Sequence, residues 1–122
     1  MARPRVVLDA NALMLPFQSI RVNLDAELAR VVGECDTYVP SSVVRELERV
    51  AQRDRTAKTA LALARKYTVF ETQRAGDAAV IEAAEALRAA VVTVDKALLA
   101  ALRARRIPRI TVRSGSHLVL EA

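Results

Sequence analysis

Four acidic residues stand at boundaries in the chain. Asp9 ends the apolar run Val6-Val7-Leu8, and Asp95 ends Val91-Val92-Thr93-Val94. Asp77 follows Gly76, and Glu46 lies one turn into the pattern that opens after Pro40. Carboxylates without a matched lysine or histidine make a poor proton relay, because like charges held close cannot all ionise unaided. They suit a divalent cation better. Carboxylate oxygens match magnesium or manganese, and one or two bound ions would cancel the repulsion. Asn11 and Thr93, each two residues from an acid, can support the carboxylates or a bound water from behind. Each acid also has a plainer use. Asp9, Asp77 and Asp95 are all suitable helix N-caps, and Glu46 can pair with Arg49 on a helix surface. Only convergence raises the set above those uses.

Convergence depends on the elements that carry the acids. Short β-type runs occur at Arg5–Leu8, Asp36–Val39, Tyr67–Phe70, Val91–Val94 and Arg109–Val112. Between them apolar residues recur three and four apart, as in Leu24, Leu28, Val31 and Val32, or Val80, Ala83 and Leu87. Gly33 ends the first of these patterns, and Ser41 or Ser42 is a natural cap for the helix after Pro40. Regular strand–helix alternation predicts an α/β fold, with a central parallel sheet of about five strands and helices on both faces. The strands lack polar alternation, as strands covered on both faces do. In such sheets ligands bind beyond the carboxyl ends of the strands, which is where this reading sends all four acids.

With the acids and strands in place, the chain resembles a PIN-domain nuclease over essentially its whole length. The resemblance rests on Val6-Val7-Leu8-Asp9-Ala10-Asn11-Ala12-Leu13, Val39-Pro40-Ser41-Ser42-Val43-Val44-Arg45-Glu46-Leu47, Gly76-Asp77-Ala78-Ala79-Val80-Ile81 and Val91-Val92-Thr93-Val94-Asp95-Lys96-Ala97-Leu98, in that order. Leu15-Pro16-Phe17-Gln18 further resembles stand-alone, largely archaeal members akin to rRNA-processing nucleases and VapC-type toxins. The resemblance implies a three-layer fold and a magnesium- or manganese-dependent endoribonuclease leaving 5′-phosphate and 3′-hydroxyl ends. Asp9, Glu46, Asp77 and Asp95 are then the metal-binding acids, with Asn11 and Thr93 as polar support. It also implies RNA as substrate, an antitoxin protein or a ribosomal precursor particle as partner, and a homodimer. One departure is plain: many relatives carry a second acid beside the later motifs, whereas Ala78 and Ala79 follow Asp77 here.

Composition agrees with this reading and excludes others. A length of 122 residues suits a single domain spanning 1–122, and 52% apolar residues suffice for a core. One cysteine and one histidine, Cys35 and His117, exclude disulfide frameworks, His-cluster metal sites and multi-cysteine zinc sites. Aromatics at 3% argue against recognition by base stacking. No apolar stretch suits a signal peptide or a membrane span, so a soluble, cytoplasmic domain without membrane partners is expected. The formal net charge of +5 points to a polyanionic partner. Arg103, Arg105, Arg106 and Arg109 cluster without an intervening acid, as candidates either for RNA phosphate contact or for a solvated helix end. A Gly-rich phosphate turn after the first strand is missing, which excludes a dinucleotide-binding module. A receiver domain needs an acidic pair where Asp9 stands alone. The alternative is a non-catalytic RNA-binding or ribosome-assembly scaffold of the same fold, although a scaffold for phosphates has no use for clustered acids.

Overall fold

A computed structural model describes residues 3–18 and 21–122. The chain runs β1 (Arg5–Leu8), α1 (Ala10–Met14), a 3-10 turn (Leu15–Phe17), α2 (Leu24–Val32), β2 (Asp36–Pro40) and α3 (Ser41–Ala51). It continues with α4 (Arg55–Ala64), β3 (Thr68–Phe70), α5 (Gly76–Leu87), β4 (Ala90–Val92), α6 (Lys96–Ala104), β5 (Arg109–Arg113) and β6 (His117–Glu121). The sheet order is β3-β2-β1-β4-β5-β6. All neighbours are parallel except β5 and β6, which pair antiparallel.

The expected α/β architecture is present, with a sixth strand added to the expected five. The chain steps outward from β1 to β2 and β3, then returns to place β4 on the other side of β1. Right-handed crossovers therefore set α1–α4 on one face and α5 and α6 on the other. The reversal also opens a crevice between the carboxyl ends of β1 and β4. Val6, Val7 and Leu8 of β1, and Val91 and Val92 of β4, are fully buried, as their lack of polar alternation requires. Leu13, Leu47, Leu98 and Leu102 press the helices onto that sheet.

Two details depart from the sequence reading. Neither Ser41 nor Ser42 caps α3; the N-cap residue is Pro40, which has no side-chain donor or acceptor. Ser41 instead turns its Oγ to the segment after β3, accepting from the Thr72 N–H at 3.0 Å. The fourth strand stops at Val92, because the Val94 N–H is drawn out of the ladder to Asn11 Oδ1 at 3.0 Å.

A two-residue clasp from α2 holds the start of β6. Glu27 Oε1 accepts from the Leu118 N–H at 2.8 Å, and Arg30 Nη2 donates to the Leu118 carbonyl at 2.6 Å. The two side chains also pair with each other at 2.9 Å, and His117 Nδ1 stands 3.5 Å from Glu27. The Arg30 bond and the Leu118 N–H hold the Glu27 carboxyl at about 2, well below its ordinary 4.5. A depressed carboxyl contributes stability in full above its unfolded value, and that contribution disappears as pH falls towards the folded value. Stability should thus decline between pH 4.5 and about 2 partly through Glu27. Urea titrations across that window should show a shallower decline in Glu27→Gln, whose amide oxygen still accepts from Leu118. Parallel pH profiles for the two proteins would show that Glu27 contributes nothing.

Candidate active site

The end of β1, the segment after β4 and the helices α3 and α5 bring the acids to the wall of one cavity. A cavity of about 360 Å³ opens at the carboxyl ends of β1 and β4, and Asp9, Glu46, Asp77 and Asp95 all line it. Met14, Ser42 and Gly76 complete much of its wall. None of the described residues lining it is basic.

Asp9 is the most constrained of the four. It is buried at the end of β1, where it caps α1. Its Oδ1 accepts from the Ala10 N–H at 2.8 Å; its Oδ2 accepts from Asn11 Nδ2 at 3.0 Å and Thr93 Oγ1 at 2.8 Å. Burial pushes its carboxyl above the ordinary range, while the Thr93 and Ala10 bonds pull it back. The negative charges of Asp77 and Glu46 push it up again.

Asn11 and Thr93 both donate to the Asp9 carboxylate. The Thr93 hydroxyl lies between both strand-end acids, donating to Asp9 and accepting from the Asp95 N–H at 3.2 Å. Asn11 links the end of β1 to the end of β4 through Asp9 and Val94. Thr93→Val keeps the shape and removes the hydroxyl from a fully buried position. Loss of a hydrogen bond to a charged group is worth about 1.5–3 kcal/mol. Denaturant unfolding should register that loss, and an unchanged midpoint would show that Thr93 is held by packing alone.

The other acids divide between the two uses open to them. Asp95 caps α6, its Oδ1 accepting from the Leu98 N–H at 3.0 Å, so it is both a cap and a wall residue. Asp77 is no cap: the N-cap of α5 is Ala75, and Asp77 lies inside the first turn. Glu46 projects from α3 one turn beyond Ser42, a spacing that sets both residues on the same helix face. Ser42 is the wall residue whose position the sequence reading overlooks; the spacing of four from Glu46 is the signal that points to it.

The arginine cluster stands elsewhere. α6 begins beside Asp95 and runs back along the sheet, carrying Arg103 about 12 Å from the cavity end at 1.5 Å per residue. Arg105 follows it and pairs with Glu85 at 3.4 Å, and Arg106 lies just beyond. Arg109 corrects the expectation of phosphate contact. It is buried, and its guanidinium donates to the carbonyls of Ile107 at 2.8 Å and Ala122 at 3.3 Å. Those bonds tie its guanidinium to backbone acceptors just before β5 and just after β6, so its charge is turned inward.

Comparison with known proteins identifies the architecture. The PIN like domain pattern matches residues 6–115. The chain belongs to this family. Among PIN-like relatives, it is 34% identical over 107 residues to ribonuclease VapC9 of Archaeoglobus fulgidus, covering 84% of this chain and 78% of that one. The structure of the PIN domain endonuclease Utp24 superposes with a TM-score of 0.77 at 20% identity, covering 96% of this chain and 90% of the other. A domain of a functionally unknown protein from Methanocaldococcus jannaschii superposes at 0.69 with 15% identity, covering 93% and 94%. These two likenesses are of fold. Among the described helices none is long and apolar enough to cross a membrane.

Proposed function

We propose that this PIN-like chain is a metal-dependent endoribonuclease that hydrolyses RNA phosphodiester bonds, with residues 1–122 acting as one domain. The carrying observation is the cavity itself. It has four carboxylates and, among its described lining residues, no base, and it opens at the crevice where the sheet order reverses. The likeness to a protein named a ribonuclease supports RNA as the substrate.

The donor set fits a hard divalent cation, because oxygen is the donor type these acids present. No three of the described acids yet converge into a ready coordination shell, so the fit is one of chemistry. Asp9, Asp77 and Asp95 would hold magnesium or manganese, with Glu46 directly or through water. When bound, the ion supplies Lewis-acid polarisation of the phosphate and makes water a nucleophile at neutral pH. The protein's own part is positioning. Three donors fix the Asp9 carboxylate, and the cap bond to Leu98 fixes Asp95. Asp77 and Glu46 complete the wall from α5 and α3. The chain carries a net charge of +5 even with the acidic pit counted, which favours approach of a polyanion.

A covalently closed single-stranded RNA tests the proposal, because only an endonuclease can open it. Linear products are expected with manganese and none with chelator. Intact circles in both, under conditions where the protein is folded, would refute the reading.

A further inference from the structure

Ser42 is the second residue of α3 and part of the wall of the carboxylate cavity. Its Oγ is buried and has no hydrogen-bond partner, alone among the buried side-chain oxygens and nitrogens of the described residues. Adjacent Ser41 is the contrast. The Ser41 hydroxyl bonds Thr72 through both the backbone N–H at 3.0 Å and the side-chain Oγ1 at 3.3 Å. One serine of the pair is thus tied into the scaffold while the other is left free. Buried hydroxyls are almost always partnered, since desolvation without a replacement bond costs stability. An exception on the wall of a polar cavity suggests a group that is satisfied when the cavity fills.

The chemistry of the wall identifies the filler. The four acids, when ionised, offer only acceptors, and a phosphodiester brings only acceptors of its own. A phosphate seated there therefore needs donors from the protein as well as cations. Asn11 is the other side-chain donor on the described wall, and one of its two amide N–H groups is bonded to Asp9. Ser42 stands one helical turn from Glu46 on the same face, and both residues line the cavity. Serine has three staggered positions about its Cα–Cβ bond, and Oγ has no hydrogen bond holding it in the buried one, so it is free to turn when a substrate offers an acceptor.

We propose that Ser42 contacts the substrate: its Oγ–H donates to a non-bridging oxygen of the phosphodiester in the cavity and orients that phosphate between Asp9 and Glu46. This rests on the endoribonuclease reading and adds a substrate-binding residue to it.

The test uses the whole chain, as Ser42→Ala and Ser42→Thr. Ser42→Ala should melt at or above wild type, since it removes an unpaired polar group. Its kcat/KM for RNA should fall about tenfold or more, the range for a lost bond to a charged oxygen. Ser42→Thr, which keeps the hydroxyl, should retain most of the activity. The second measurement is binding, in manganese, of a short RNA with methylenephosphonate linkages, which keep both non-bridging oxygens and resist cleavage. Its Kd should weaken about tenfold in Ser42→Ala.

Wild-type kcat/KM and Kd in Ser42→Ala would overturn the proposal while leaving the nuclease reading intact. A markedly lower melting temperature would also overturn it, by giving the hydroxyl a structural partner such as a water. A wild-type protein that binds the analogue through Ser42 but cuts no RNA would sustain the contact and refute the nuclease. Neither binding nor cleavage by wild type would refute both.

Discussion

Asp9→Asn should abolish manganese-dependent RNA cleavage while leaving a folded protein. The loss should exceed about 100-fold, the upper end of what removing a partner behind a metal ligand costs. Retention of the fold follows from the bonds Asp9 makes. Asparagine caps a helix about as well as aspartate, so the bond from the Ala10 N–H survives. The Thr93 hydroxyl can turn its proton and accept from the new amide. The unfavourable consequence is that Asn11 Nδ2 then meets another donor, a conflict worth about 1–3 kcal/mol. Removing a buried negative charge beside Asp77 and Glu46 offsets part of that cost. Circular dichroism should therefore match wild type. Asp95→Asn should behave likewise, because its cap bond to Leu98 tolerates the amide. Wild-type cleavage by folded Asp9→Asn would remove Asp9 from the site.

Asp77→Asn should separate a metal ligand from a structural acid by stability alone. Asp77 makes no cap, so its substitution breaks no capping bond. Without metal, two small effects oppose each other: lost attraction to the α5 N-terminus, about 0.3–1 kcal/mol, and relief of repulsion with Asp9. The two metal-free melting temperatures should lie close together. With manganese about 100-fold above its Kd, wild type should gain about 2.7 kcal/mol, which is several degrees for a chain of this length. The variant should gain clearly less. Thermal melts in chelator and in manganese decide it, and equal metal-induced shifts would exclude Asp77 from any metal site.

The parts of the fold legible from residues are those with strong local periodicity. Val6-Val7-Leu8 and Val91-Val92 read as strands because both faces are covered, and Asp9 and Asp95 read as strand-end acids for the same reason. β6 escapes that logic. It pairs antiparallel through a turn at Ser114 and Gly115, both at positive φ, and its burial pattern follows the clasp from α2 as much as the sheet. α1 is too short, at five residues, to show a helical period. Arg109 reads as a surface cation because its charge suggests water, yet backbone carbonyls supply its partners inside. The serine pair after Pro40 reads as a cap because serine favours that position; the competing pull of Thr72 is visible only in three dimensions.

The clasp of Glu27 and Arg30 on Leu118 bears on how copies of this chain can meet. A sheet edge with open N–H and C=O groups is a template for a strand from another molecule. β6 is one edge of this sheet, and its outward peptide groups at Leu118 are already occupied by the two side chains. At the opposite edge β3 spans only three residues. Neither edge offers an uninterrupted ladder for an incoming strand. A strand added at β6 would have to displace Glu27 and Arg30 from Leu118, so a helix that carries both halves of a peptide's complement guards that edge.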